Sequence, residues 1–267
     1  MTYRAKQYCC PVTPAEAYET LQKSRKHAIL AGGIWLGMGH KEIHTLIDIH
    51  KLGLNQIQIS EDRVQIGAMT TLRQLETDPG LTGLFGGAFT QCVQGIGGVQ
   101  LRNMATIGGS VCARLGFSDV ITVLLALDAS LELYAGKSVP LETFLENAGV
   151  KDLLLEVQIP NNGGICACQQ TRLNATDLPV LTVAAANSPS SGWRVAVGAR
   201  PGIAKLAYGA MKLLNAGGDV PAACLCAAEE LTFGSNGRGS ADYRKELCKV
   251  LLARAIAQVK QRMLKGE

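Results

Sequence analysis

Two glycine pairs are the residues in this chain whose spacing suits a charged ligand. The first stands in Ile29-Leu30-Ala31-Gly32-Gly33-Ile34-Trp35, the second in Ala105-Thr106-Ile107-Gly108-Gly109-Ser110. Adjacent glycines let backbone N–H groups converge on an anion with no side chain in the way. A nest of this kind can hold a pyrophosphate. Neither loop matches G-x-G-x-x-G or G-x-x-x-x-G-K-[ST], so neither a Rossmann dinucleotide fold nor a P-loop is supported. A lone Gly-Gly after a strand is most commonly only a turn. Two pairs, each beside apolar segments, strengthen the anion reading only modestly.

The remaining reactive side chains form no second site. His27, His40, His44 and His50 are the four histidines, with His40 and His44 four apart. Their spacing is not that of H-E-x-x-H and no carboxylate completes a ligand set, so no metal is assigned. Nine cysteines are an odd number at irregular spacing. Cys9-Cys10, Cys166-x-Cys168 and Cys224-x-Cys226 are not the C-x-x-C pairs of zinc or iron–sulfur sites. They read as reduced thiols serving as small apolar residues. Arg102 reads as a structural pin for the second loop. For Trp35, a packed aromatic and a site residue are both open readings.

The chain has 267 residues, 47% hydrophobic and 18% charged, with a net charge of +4. That length admits a well-buried core and two domains. Lys23, Arg25 and Lys26 are the densest basic group and fit a solvated helix end, so neither nucleic acid nor membrane is expected as a partner. No stretch approaches the roughly 18 apolar residues that span a bilayer. The opening MTYRAKQYCC lacks the apolar run of a signal peptide, so a cytoplasmic location is expected.

The elements that must carry the two loops follow from local patterns. Thr13, Pro14 and Glu16 predict a capping box opening a helix over 13–26, with Val12 as its hydrophobic staple. A strand over 27–30 feeds the first loop, and a second strand covers 46–49. Segments 57–60 and 63–68 flank Glu61-Asp62 as a hairpin. Thr71 caps a short helix through Glu76. A glycine-rich stretch from Gly95 to Gly109 leads into a buried helix over 118–127. Strands at 131–134 and 139–141 flank a turn at Ala135-Gly136, and another strand covers 153–159. Asn161-Asn162-Gly163-Gly164 is the strongest linker signal. Beyond it come strands at 180–186 and 193–197, helices at 204–215 and 221–231, and a last helix capped by Ser240 and reaching Met263.

The run Gly98-Val99-Gln100-Leu101-Arg102-Asn103-Met104-Ala105-Thr106-Ile107-Gly108-Gly109-Ser110 closely resembles the PQIRN-x-ATIGGN signature of FAD-binding subunits in the xanthine dehydrogenase and carbon monoxide dehydrogenase family. The first loop is similar to that family's LAGGT segment, and the spacing between the loops fits. Ile66-Gly67-Ala68-Met69-Thr70-Thr71 resembles IGAxTT. Ser118-Asp119 followed by Val123–Ala129 resembles the AD-x-x-x-x-LLALDA helix, and Ser240–Arg244 the S-x-x-YR start of the last helix. The resemblance covers nearly the whole chain.

It implies an α+β fold: a vanillyl-alcohol-oxidase-type (PCMH) FAD-binding domain over 1–161, then a smaller α+β C-terminal domain of the CO dehydrogenase flavoprotein type over 162–267. By resemblance, Ala28, Ile29, Leu30, Ala31, Gly32, Gly33, Ile34 and Trp35 cradle the FAD pyrophosphate together with Thr106, Ile107, Gly108, Gly109 and Ser110. Asp119 sits by polar groups of FAD. The segment Gln169–Asp177 lies near the flavin, with Arg172 in the place of a family Lys or Arg, and Leu178 faces the ring. Relatives carry Thr or Ser and then Asp or Ser after the first Gly-Gly. Ile34 and Trp35 stand there instead, so a phosphate-bonding hydroxyl is lost while backbone donors remain. Ser110 replaces a frequent Asn and still donates and accepts.

The implied activity is electron relay in a heteromeric molybdenum hydroxylase. Substrate is oxidised on a molybdopterin-binding catalytic subunit, and electrons pass through a [2Fe-2S] subunit to FAD and on to NAD or another acceptor. This chain would be an oxidoreductase subunit active only within that complex. General similarity to purine-oxidising members favours xanthine or another purine as substrate. A flavin-free accessory subunit that keeps the fold is the alternative, motivated by Ile34 and Trp35. A stand-alone flavin oxidase is a third reading, against which stands the lack of any His or Cys in the first loop.

Overall fold

A computed structural model describes residues 4–37, 42–147, 149 and 151–265. His40 lies outside them. The chain opens with β1 (Ala5–Cys9), α1 (Pro14–Gln22), β2 (Ala28–Leu30), α2 (Ile34–Gly37) and β3 (Ile43–Asp48). These strands form a parallel sheet in the order β1-β3-β2, with Ala28 opposite Leu46 and Leu30 opposite Asp48. Ala17 and Leu21 of α1 pack against Ile47 and Leu153 in a small core of their own.

Next come β4 (Ile57–Ile59), β5 (Arg63–Gly67), α3 (Leu72–Thr77), α4 (Pro79–Thr82), α5 (Ala88–Val93), α6 (Val99–Met104), α7 (Ile107–Cys112), α8 (Asp119–Ala126), β6 (Ser130–Leu133), β7 (Lys137–Pro140), α9 (Leu141–Glu146) and β8 (Leu154–Pro160). Their strands make an antiparallel sheet in the order β4-β5-β8-β6-β7. The last part holds β9 (Ile165–Thr171), β10 (Leu181–Ser188), β11 (Gly192–Gly198), β12 (Lys205–Leu206), α10 (Tyr208–Asn215), α11 (Val220–Glu230) and α12 (Ala241–Lys265). Its sheet runs β12-β11-β10-β9.

That third sheet is buried on both faces. Ala167, Val183, Ala185, Val195 and Val197 point into a core shared with α10, α11 and α12. Alternate residues Cys166, Cys168, Ala184, Ala186 and Ala196 join the central core with α5 and α8, as the two-residue period of a strand requires. Two buried faces explain why the stretch from Val180 to Ala186 is apolar at every position but Thr182. Every residue of α8 is buried. Each leucine hidden this way contributes about 1.5–3 kcal/mol, so α8 is fixed from all sides and its first residue is held in place.

Several local expectations hold. Thr71 caps α3, and Gln74, which was not expected to take part, returns the bond to complete a capping box. Thr13 caps α1 by accepting from the Glu16 N–H. The structure corrects others. The Glu16 carboxylate accepts from the Val12 N–H, not from Thr13. Val12 is 65% exposed, so no staple forms. The helix expected to reach residue 26 stops at Gln22. Lys26 leaves the helix to pair with Glu42. The glycine-rich stretch contains two helices, α6 and α7. A strand, β12, precedes α10 where one helix over 204–215 was expected. Two strands were not read at all. β1 is an edge strand with exposed residues on both faces, and β9 carries β-branched residues only at its two ends, Ile165 and Thr171. No helix among the described residues is long and apolar enough to cross a membrane.

Candidate functional site

The first glycine loop leaves the C-terminal end of β2. Gly33 takes φ 71°, which turns the chain into α2. The Gly37 N–H donates back to the Gly33 carbonyl at 3.0 Å. The N–H groups of Ile34, Trp35 and Leu36, in the first turn of α2, have no intrahelical acceptor. Gly32 lies flat against the other loop: a Cβ there would sit 1.7 Å from the Met104 carbonyl oxygen. Only a glycine allows that approach, so the two loops are joined wall to wall.

The second loop is held from behind. Thr106 caps α7, its hydroxyl accepting from the Gly109 N–H at 3.1 Å. The Ile107 N–H donates to the Thr70 carbonyl and the Gly108 N–H to the Ala68 carbonyl, both at 2.9 Å. The Ser110 N–H and hydroxyl both donate to the Thr106 carbonyl at 3.0 Å. A Cβ on Gly108 would lie 2.6 Å from the Ala68 oxygen. The amides of residues 107–110 are therefore already engaged, contrary to the expectation of an open nest in this loop. The amides without intrahelical acceptors belong to the first loop, and the second supplies a bare backbone wall. Arg102 steadies that wall, donating to Glu76 at 2.9 Å and to the Gly97 carbonyl at 3.1 Å.

Together the loops line a cavity of about 540 Å³. Ala28, Ile29, Ala31, Gly32, Gly33, Ile34 and Trp35 face it from one side, and Thr106, Gly108 and Gly109 from the other. Beside it lies a second cavity of about 230 Å³, bordered by Ser110, Phe117, Asp119, Arg172, Leu178 and Pro179. Trp35 and Leu115 border both. Three expected site residues border neither. Leu30 pairs with Asp48 in the sheet, Ile107 is fully buried in the central core, and the Gln169 amide donates to Gln258 at 2.8 Å.

Asp119 and Arg172 meet in the wall of the second cavity. Asp119, 2% exposed, accepts from the Arg172 guanidinium at 2.6 Å and from the Thr182 hydroxyl. Arg172 also donates to the Asp177 carbonyl at 2.8 Å and to Gln170 at 3.1 Å. Burial pushes the Asp119 carboxyl above its usual range, and the pull of Arg172 and Thr182 does not fully offset it. The positive charge of Arg172 is thus largely matched by its partner rather than offered whole to the cavity.

Some lining residues carried no sequence signal. Leu115 and Phe117 lie in an irregular connection with no period to reveal a shared face. Cys112 borders the first cavity and is solvent-exposed. Asp152 also borders that cavity, though its own sequence neighbourhood holds no glycine motif. Among the described residues, no group of His, Cys, Asp and Glu is placed to hold a metal ion.

Comparison with known proteins gives a concordant result. A family described as the FAD binding domain in molybdopterin dehydrogenase matches residues 3–162. The xanthine dehydrogenase FAD-binding subunit of Escherichia coli O157:H7 is 34% identical over 133 residues, 48% of this chain and 45% of that protein. The nicotinate dehydrogenase FAD-subunit of Eubacterium barkeri is 30% identical over 155 residues, 54% of this chain and 52% of that protein. The matched stretches span about half the length of these relatives. A chain in the structure of reconstituted CO dehydrogenase from Oligotropha carboxidovorans superposes with a TM-score of 0.88 at 25% identity, covering 98% of this chain and 100% of that one.

Proposed function

This chain belongs to the family of FAD-binding domains in molybdopterin dehydrogenases, and on that premise we propose that it is the electron-relaying flavin subunit of a multi-subunit molybdenum hydroxylase. FAD is its cofactor. The residues present fit that group. A narrow cradle floored by Gly32, which no other residue type could line, lies beside a run of amides without intrahelical acceptors.

The observation that carries the reading is the meeting of two loops some seventy residues apart on one cavity. The N–H groups of Ile34, Trp35 and Leu36 would hold the diphosphate bridge, in place of the hydroxyl that Ile34 and Trp35 displace. Thr106, Gly108 and Gly109 would form the opposite wall. The smaller cavity would take the flavin ring, with Leu178 against it and the Asp119–Arg172 pair at its polar end. Flavin accepts electrons singly or in pairs, which suits a junction between one-electron iron–sulfur centres and a two-electron acceptor. The work of the chain is then to bind, orient and shield. No side chain here is assigned as a general acid or base.

The reading divides the chain at the β8–β9 turn into an FAD-binding domain, 1–161, and a C-terminal domain, 162–267. A [2Fe-2S] subunit and a molybdopterin-binding subunit would be its partners, NAD or another oxidant its acceptor, and a purine such as xanthine the substrate of the assembly. Purification of the native complex tests this. The expected result is a yellow chain that releases FAD on denaturation and copurifies with an iron–sulfur subunit. A colourless chain that takes up no FAD would favour the flavin-free scaffold instead.

A further inference from the structure

The two cavities adjoin, and the residues that border both are Trp35 and Leu115. FAD is one continuous molecule. If its diphosphate lies against the first loop and its ring in the second cavity, as proposed above, the molecule passes these two side chains where the cavities adjoin.

The two sides of that passage are anchored differently. Leu115 belongs to a segment fixed at its neighbour: the Gly116 carbonyl accepts from the Ala199 N–H at 2.8 Å, and a Cβ on Gly116 would lie 2.9 Å from the Gly202 oxygen. Trp35 sits on a four-residue helix with no buried residue, just after the left-handed turn at Gly33. Its indole leans edge-on against Phe117, with ring centroids 5.7 Å apart. Its Nε1–H is hidden from water and has no acceptor among the described residues. A buried indole N–H normally finds a partner, and leaving it unpaired forfeits roughly a whole hydrogen bond. The position of the ring is thus held by packing alone, against a polar penalty. Any movement that brings the N–H to an oxygen relieves that penalty, and the phosphate and ribityl oxygens of FAD are such acceptors.

We propose that Trp35 is a movable partition: it closes the passage between the two cavities in the flavin-free chain and swings aside when FAD binds, its N–H then donating to the dinucleotide. This inference rests on the FAD reading and adds a gate and a donor to it.

The experiment uses the full chain stripped of flavin and follows FAD uptake by stopped flow. In the wild-type protein the observed rate should level off with rising FAD, because opening limits it. In Trp35→Ala the rate should rise linearly and FAD should also leave faster. Trp35→Phe keeps an aromatic wall but has no N–H. Its flavin-free Tm should equal or exceed that of wild type, while FAD binds about tenfold more weakly, the loss of one hydrogen bond. A Trp193→Phe background isolates the emission of Trp35, which should change at the levelled-off rate. A linear wild-type rate matched by Trp35→Ala overturns the gate. Trp35→Phe binding FAD as tightly as wild type overturns the donor. A purely structural Trp35 would instead lower the flavin-free Tm of both variants and leave uptake kinetics unchanged. A wild-type chain that takes up no FAD overturns the cofactor reading, and the partition with it.

Discussion

Replacing Gly32 with alanine is the most direct test of the joined loops. The new methyl would stand 1.7 Å from the Met104 oxygen and 2.7 Å from its carbonyl carbon. Ordinary carbon–oxygen contacts are about 3.3 Å, so the walls must part by about 1.6 Å. Both obstacles are backbone, and no rotamer change relieves them. The Met104 segment cannot retreat freely. The Ala105 carbonyl accepts from the Leu72 N–H at 2.8 Å and the Ile107 N–H donates to Thr70 at 2.9 Å. Sacrificing one or two such bonds at about 0.5–1.5 kcal/mol each, with overpacking of about 1–3 kcal/mol, gives a cost of about 1.5–6 kcal/mol. Urea unfolding of the flavin-free chain measures it. FAD affinity should fall at the same time by at least about tenfold, because a cradle opened by that much loses its hydrogen-bond distances. Gly53→Ala is the control. Gly53 has φ 69° with nothing within 4 Å, so it should lose only the left-handed preference, about 1–2 kcal/mol, and keep its FAD affinity. A Gly32→Ala chain as stable as wild type with unchanged FAD affinity would refute the reasoning.

Three further outcomes are expected. Asp119→Asn leaves the Arg172 guanidinium, 9% exposed, without its counter-charge and should cost about 3–5 kcal/mol in denaturant unfolding. The double variant Asp119→Leu/Arg172→Met should recover most of that loss, and a single variant with an unshifted midpoint would contradict the buried pair. Arg172→Ala uncovers the Asp119 charge beside the second cavity and should make the flavin midpoint potential more negative, as redox titration would read. An unmoved potential would count against a role for the pair at the ring. Glu76 tests the pH dependence. Burial pushes its carboxyl up, but Arg73 and Arg102 outweigh burial and hold it below its ordinary value. An acid lowered by folding stabilises above its unfolded value, about 4.3, and loses that contribution as pH falls through the folded value. The Tm gap between wild type and Glu76→Gln should be full at neutral pH and shrink in acid. A gap that is constant with pH would remove Glu76 as its source.

Asp119 and Glu76 show why the net acid response cannot be read from composition. Both are carboxylates with arginine partners. Asp119 is raised because burial dominates, so protonating it in mild acid relieves a penalty. Glu76 is lowered because two arginines reach it at the edge of the fold. The two therefore tilt stability in opposite directions over the same range of pH.

What the sequence determined by itself was the local structure whose energy closes within a few residues. Thr71 and Gln74, three positions apart, satisfy each other's backbone N–H, and the apolar run of α8 admits no exposed face. The second glycine loop, in its long motif, likewise identified the family before any coordinate was needed. The tertiary structure alone decided where distant groups meet. Gly32 finds Met104, Trp35 finds Phe117, and Asp119 finds Arg172 and Thr182. It also decided which amides remain free, since those of residues 107–110 are taken by Ala68, Thr70 and Thr106. β1 and β9 escaped notice because a strand is stabilised by partners elsewhere in the chain, not by its own neighbours. Capping and periodicity are short-range energies written in adjacent residues. A cleft is made by long-range closure, and its shape exists only once the chain has paid the entropy of bringing its walls together.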